Sequence, residues 1–441
     1  MAADASRRGI PLHTKILLGL FLGALAGVTA NLMARNHPTL LWIVDNVAYP
    51  VGQVFLRLLF MIVVPLIFTS ISLGVASLGD LGKVGRIGGK TLGFFLLTTG
   101  LAAILGLSLV NIVRPGESLD VETRTALLAE YADEASEKQA QAETSGFGVN
   151  TFVNIIPRNP IDAAARGDML AVIFTALIFG IALTRIAAER AAPVMRVLEG
   201  IGDAIMVVID LAMHIAPFGV FGLIFSVTAK FGFEVLQSLA LYVIMVLAAL
   251  AFHQFIILPG LARILAGINP ITFLKRARAV MITAFSTSSS NATIPTNMEV
   301  AHRNFGVPKQ IAGFVIPLGA TMNMTGTALF EGMTVLFLAQ VFGLDLSLAQ
   351  QAMVVGMCVI TAVGAAGVPG GSIPLLVMVL IMVGIPGEGI ALILGVDRIL
   401  DMSRTVPNVT GDLLTSIVIT KSEGIPLDMP TDEQLRAMDA A

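Results

Sequence analysis

Apolar residues run along this chain in blocks near 15–33, 55–78, 91–113, 168–187, 203–228, 236–259, 307–337 and 388–420. A helix needs roughly 20 apolar residues to cross a hydrocarbon layer of about 30 Å, and these blocks predict eight transmembrane helices. Two further apolar segments, near 268–300 and 352–385, are interrupted by Ser, Gly and Pro and do not read as simple uninterrupted helices. They are read as re-entrant helical hairpins. The expected fold class is therefore an all-α polytopic membrane protein with eight transmembrane helices and two re-entrant hairpins.

Composition agrees with lipid as the solvent for much of the chain, because 56% of the 441 residues are hydrophobic, only 13% are charged, and the mean hydropathy is +0.86. A soluble domain of this length cannot enclose so much apolar surface. The net charge of -3 gives no basis for nucleic-acid binding, and the single Cys358 excludes a disulfide framework within the chain. Arg7, Arg8 and Lys15 precede or open the first apolar run without a convincing cleavage site, so that run reads as a retained span and not a signal peptide. Lys83, Arg86 and Lys90, and again Lys275, Arg276 and Arg278, mark cytoplasmic ends. The amino terminus is expected in the cytoplasm and the protein in the cell (inner) membrane. From Pro115 to about Gly148 the chain is acidic, and this loop is expected to face outward and to move.

Polar residues and helix breakers gather at membrane depth only in the second part, from about 265 to 424. The order there is hairpin, helix, hairpin, helix: a Ser-rich tip, a span broken at Asn323-Met324-Thr325-Gly326-Thr327, a Gly-rich tip, and a span rich in ionisable groups. Such internal repeats often hold substrate between them in secondary transporters. Non-helical backbone at this depth is tolerated only if buried in protein or lining a wet cavity, so both tips should touch the cavity. Free amides at helix starts suit carboxylates, and free carbonyls at helix ends suit Na+ or K+.

In the last span Asp397, Asp401, Arg404, Thr405, Asn408 and Asp412 recur at helical spacing and share one face, with a kink expected at Pro407. The alternative to a functional stripe is an ion-pair ladder between helices. Arg404 keeps its proton and offers a planar fork to a side-chain carboxylate, while Asp401, nearly one turn earlier, suits an ammonium group. Together they describe an acidic amino acid. Asn408 and Asp412 offer hard oxygen ligands for Na+, alongside carbonyls of the broken seventh span.

Four motifs, Ser288-Ser289-Ser290-Asn291-Ala292-Thr293-Ile294-Pro295, Asn323 to Thr327, Ala366-Gly367-Val368-Pro369-Gly370, and Asp401 to Asp412, stand in this order. On them the chain, from about Lys15 to Glu423, resembles the glutamate and aspartate transporter family of dicarboxylate/amino acid:cation symporters. The resemblance implies a homotrimer of elevator type. Its scaffold would comprise residues 1–90 (spans 1 and 2) and 115–232 (acidic loop, spans 4 and 5). Its transport domain would comprise 91–114 (span 3) and 233–424 (span 6, hairpin 1, span 7, hairpin 2, span 8), with 425–441 as a tail and hairpin 2 as the gate.

Carried over by resemblance, substrate contacts come from Ser288, Ser289, Ser290, Thr327, Val368, Ser372, Asp401, Arg404, Thr405 and Asn408. One Na+ site uses carbonyls of Gly319, Asn323 and Asn408 with Asp412, and a second uses Thr321, Met324 and carbonyls of Ala362, Val363 and Ala365. A third family site joins Asn323 and span-3 hydroxyls, here Thr98 and Thr99, to an aspartate where this chain has Thr325. A neutral hydroxyl offsets a desolvated cation poorly, so this site is expected to be weakened and fewer than three Na+ to bind. Glu331 stands where proton-coupled members carry a titratable glutamate, and a carboxyl group enclosed in the membrane favours its uncharged form. H+ is therefore a candidate coupling ion, against the alternative of a permanently neutral or ion-paired packing residue. The family's second arginine is missing at Ser288 and at Met402; Arg398, one turn away, either replaces it, pairs with Asp397 or faces the cytoplasm.

The function implied is symport of L-glutamate or L-aspartate in a lipid membrane, with no enzyme activity and no nucleic-acid partner. The alternative on the same fold is a proton-coupled C4-dicarboxylate carrier, which Asp401 disfavours: two like charges about 4 Å apart interact by ~4 kcal/mol at an effective dielectric of 20. A hydrolase built on the Ser-rich tip lacks any HExxH or G-x-S-x-G pattern, and clustered opposite charges suit binding more than a passive channel. His253, in an apolar run, reads as a structural histidine bonded to a carbonyl before it reads as a proton relay.

Overall fold

The computed structural model describes residues 12–34, 37–84, 86–118, 156–166, 169–365, 367, 369–431 and 434, and every regular element among them is a helix. Arg7, Arg8, Val368 and all of the acidic loop beyond Ser118 up to residue 155 lie outside the described residues. The longer helices are α1 (Leu12–Ala34), α2 (Tyr49–Met61), α3 (Val63–Val84), α4 (Arg86–Val113), α5 (Met169–Arg185), α6 (Ala188–Phe231) and α7 (Glu234–Phe252). They continue with α8 (Pro270–Thr287), α9 (Ser290–Phe305), α10 (Lys309–Met322), α11 (Thr325–Val341), α12 (Leu348–Gly364), α13 (Ile373–Met382) and α14 (Ala391–Ser422).

Six stretches among the described residues are long and apolar enough to cross a membrane: Thr14–Ala34, Pro38–Ala76, Arg86–Glu117, Ala188–Phe231, Val235–Ala266 and Lys309–Val341. The second begins at Pro38, well before the expected residue 55, because Asp45 and Asn46 interrupt the apolar pattern but sit in a π-helical turn, Val44–Ala48, that carries the helix onward. At about 1.5 Å per residue, the 44 residues of α6 exceed any hydrocarbon layer, with Pro193 and Pro217 in the helix interior. The span expected at 307–337 is two helices, α10 and α11, parted at Asn323 and Met324. The expected interruptions at 268–300 and 352–385 are the breaks between α8 and α9 and between α12 and α13. Helix α14 runs unbroken through Pro407, and Asp397, Arg398, Asp401, Arg404 and Asp412 are spread over its 32 residues.

Glycine lets helices in one group approach closely. Gly19, Gly23 and Gly27 of α1 lie against the backbone carbonyls of Pro217, Phe221 and Phe225 on α6, so a Cβ at any of them would meet main chain. This small-residue stripe, which hydropathy alone does not reveal, is how helices associate in lipid without a hydrophobic driving force. Gly219 and Gly222 bring α6 onto α2, and Gly180 brings α5 onto α3, where Ser72 Oγ also donates to the Ala176 carbonyl at 3.2 Å. A second group surrounds α14, with α8, α9, α10, α11 and α7 all packed on it and α4 lying along α11 at Gly106. Phe95, Phe273, Phe305, Val315, Leu413 and Ile417 form the core that sheathes the later half of α14. Glu423, just past α14, accepts from Arg86 at 2.6 Å and Lys90 at 2.7 Å, tying the start of α4 to the end of α14.

Candidate functional site

On α14, Asp397, Asp401, Arg404, Thr405, Asn408 and Asp412 are all buried, none more than 6% exposed. Arg404 Nη1 donates to Asp397 Oδ1 at 2.8 Å, Nη2 lies 2.9 Å from Asp401 Oδ1, and Cζ sits 4.2 Å from the Phe330 ring centroid. The approach to Asp401 is an ion pair without hydrogen-bond alignment, which leaves Nη2 unbonded. The ion pairs thus form within one helix, two turns apart for Asp397 and Arg404, and not between helices. That partnership was implicit in their seven-residue spacing. The Phe330 ring beneath the guanidinium carries no comparable sequence signal.

Three helix starts converge beside this arginine. Helix α8 ends at Ser288, whose φ of 51° is the left-handed conformation an L residue adopts only under constraint. Ser289 then caps α9, its Oγ accepting the Ala292 amide at 3.1 Å and donating to the Gly367 carbonyl of the second tip at 2.7 Å. The same carbonyl accepts the Asn291 amide at 3.1 Å, so the two tips are joined. On the other tip, the Gly370 amide donates to Asp401 Oδ2 at 3.0 Å. Helix α11 starts where Asn408 Oδ1 accepts the amides of Gly326 at 2.7 Å and Thr327 at 3.2 Å, while its Nδ2 donates to Thr327 Oγ1 at 3.1 Å. Asn408 therefore caps α11 across the break. Gly326 lies against the Arg404 carbonyl and the Pro407 ring, leaving no room for a side chain.

Between these starts is a narrow pocket lined by Ser288, Ser290, Met324, Thr327, Gly367, Ser372, Asp401, Arg404, Thr405 and Asn408. Of the expected substrate residues, Ser289 sits at the seam between the tips and Val368 lies outside the described residues. Met324, expected at a cation site, also lines this pocket, and Gly367 joins it unexpected. The hydroxyls of Ser288 and Ser372 are buried without a partner. Orphaned hydroxyls, a buried guanidinium and the positive ends of helices make a receptor for carboxylate groups, with Asp401 the one acid on its wall.

Deeper along α14, Asp412 Oδ1 accepts Asn323 Nδ2 at 2.9 Å, Gly319 lies against the same carboxylate, and no basic side chain pairs with it among the described residues. A buried carboxylate without a basic partner, with the Asn323 side chain and the Gly319 backbone beside it, offers hard oxygen to a monovalent cation. Thr98 Oγ1 donates to Asn323 Oδ1 at 3.4 Å, Thr99 Oγ1 is buried without a partner, and Thr325 Oγ1 donates to the Pro407 carbonyl at 3.3 Å. The residues of the expected second cation site are less well gathered. Thr321 is exposed with its hydroxyl donated to the Leu318 carbonyl, Ala362 and Ala365 are buried, and the Val363 carbonyl faces Gly74.

Glu331 is wholly buried, with Oε2 accepting Thr361 Oγ1 at 2.7 Å and Oε1 unbonded. Arg398 Nη1 lies 3.6 Å from Asp401 Oδ2, so it faces Asp401 while Asp397 serves Arg404. His253 is buried with neither ring nitrogen bonded, contrary to the carbonyl partner expected for it; its neighbour Gln254 takes the bond to Thr410 Oγ1 at 3.3 Å.

Residues 12–422 match the sodium:dicarboxylate symporter family. A protein of Geobacillus stearothermophilus named proton/sodium-glutamate symport protein is 40% identical over 418 residues, covering 95% of this chain and 96% of its own. The proton/glutamate-aspartate symporter of Escherichia coli is 36% identical, with 93% and 92% covered. A C4-dicarboxylate transport protein of Bacillus subtilis is 33% identical, with 85% and 88% covered.

Proposed function

The chain belongs to the sodium:dicarboxylate symporter family, and we propose that it is a secondary active symporter of L-glutamate and L-aspartate, driven by Na+, H+ or both. The observation that carries this reading is Arg404, buried beside Asp401 in a pocket bordered by three helix starts. An incoming side-chain carboxylate takes the guanidinium, the helix starts at Ser290 and Ser372 receive the α-carboxylate, and Asp401 receives the ammonium group. The relatives named for glutamate and aspartate symport support that substrate class, as does the repulsion between Asp401 and a second carboxylate in a substrate without an amino group.

In this reading α1, α2, α3, α5 and α6 form a scaffold, within residues 1–90 and 115–232. Residues 91–114 and 233–424 move as one body through the bilayer, in a homotrimer of the inner membrane with cytoplasmic amino termini. The hairpin α12–α13 acts as the gate, since its tip holds the bond to Asp401 and the bonds to the other tip. Asp412 with Asn323 and Gly319 is the principal cation site, and Glu331 is the group that carries a proton.

Uptake into purified proteoliposomes, with Na+, K+ and pH gradients imposed separately, tests the assignment. Aspartate or glutamate is expected to accumulate under an inward Na+ or H+ gradient, and accumulation of neither under any gradient would overturn it. Thr325→Asp places a carboxylate beside Asn323 and Thr98 and is expected to steepen the sodium dependence of uptake. An unchanged sodium Hill slope would remove the idea that Thr325 weakens a third cation site.

A further inference from the structure

We infer that Arg398, which lies outside the lining of the substrate pocket, determines how strictly the site demands an amino group on its substrate. The inference rests on the reading that Asp401 receives the substrate ammonium. Asp401 borders two narrow spaces: the substrate pocket, and a second whose lining includes Ile16, Phe55, Met213 and Arg398. Its carboxylate is therefore reached by cations on both sides. Arg404 stands 2.9 Å from Oδ1 and Arg398 stands 3.6 Å from Oδ2, the oxygen that also accepts the Gly370 amide.

The charges at this point balance, with Asp397 and Asp401 facing Arg398 and Arg404. Arg398 is only 15% exposed and its Nε is buried without a partner, so its charge acts through a medium that screens weakly. Asp210 on α6 lines a neighbouring pocket together with Arg398, but its side chain is 71% exposed and adjoins His214, so solvent screens it. A guanidinium behind Asp401 reduces that carboxylate's pull on an ammonium group and its push on a carboxylate. With Arg398 present, the repulsion that Asp401 exerts on a dicarboxylate lacking the amino group is reduced but not removed. Without Arg398 the cluster is one unit negative, which favours the ammonium-bearing substrate and opposes the dianion.

The test is inhibition of labelled L-aspartate uptake by succinate in proteoliposomes, read as the ratio of the succinate inhibition constant to the aspartate half-saturation constant. Arg398→Gln and Arg398→Met are expected to raise this ratio about tenfold, and Arg398→Lys to stay near the starting protein. A ratio unmoved in a neutral variant that still takes up aspartate overturns the inference, as does a shift that Lys fails to rescue. Neutral variants that fail to fold while Arg398→Lys folds would make Arg398 a residue of stability, which also overturns it. If the unaltered protein takes up no aspartate, the substrate assignment itself has failed, and that result is distinct from an unmoved ratio.

Discussion

Arg404→Gln is expected to abolish uptake of glutamate and aspartate. The guanidinium is 1% exposed, charge-paired to two carboxylates and stacked on Phe330. Truncating one member of a buried, hydrogen-bonded charge pair costs about 2–5 kcal/mol, a loss of roughly thirtyfold to several thousandfold in affinity. Part of that cost falls on the protein, since Asp397 would lose its cation and Asp401 would keep only Arg398, 3.6 Å away. Arg404→Gln combined with Asp397→Asn removes the stranded charge, so it should regain thermal stability but not glutamate uptake. Uptake of a neutral amino acid by either variant would show that the pocket survives and only its selectivity has changed. Glutamate uptake equal to that of the unaltered protein would remove the substrate assignment.

Glu331→Gln should flatten the response of uptake to a pH gradient while leaving Na+-driven uptake in place. The amide keeps the volume of the carboxyl group, and its oxygen can still accept from Thr361, so the enclosure around residue 331 is preserved. What disappears, on the proposal that Glu331 carries the proton, is the ability to take one up on one face of the membrane and release it on the other. A gradient of two pH units supplies roughly 2.7 kcal/mol for each proton carried, about a hundredfold in accumulation. The variant should forfeit accumulation on that scale when the proton gradient is the only driving force. Equal accumulation in the variant would show that another group carries the proton.

The helical fold and the polar stripe of the last helix were legible in the sequence because both are periodic: apolar blocks of membrane length, and ionisable residues at helical spacing. Two kinds of feature were not. The helical run from Pro38 was hidden because Asp45 and Asn46 break the hydropathy pattern without breaking the helix. Contacts made across the fold leave little local trace, so the cap that Asn408 places on α11, the Gly367 carbonyl shared between tips and the ring beneath Arg404 emerged only with the tertiary structure. Resemblance alone names Thr321 as a ligand, and its hydroxyl donates to the Leu318 carbonyl of its own helix.

The Gly367 carbonyl that accepts from both Ser289 and Asn291, together with the Gly370 amide on Asp401, makes three bonds that close the pocket. At about 0.5–1.5 kcal/mol net for each, these clasps hold the shut form by only a few kcal/mol. In the proposed elevator cycle, with hairpin α12–α13 as gate, occupied and vacant carriers both shut before they travel, so a clasp this light lets the vacant one reopen quickly and keeps the return trip from stalling. Strengthening it, with an added donor to that carbonyl, would lengthen the dwell of each shut state and slow turnover even as the protein became harder to unfold.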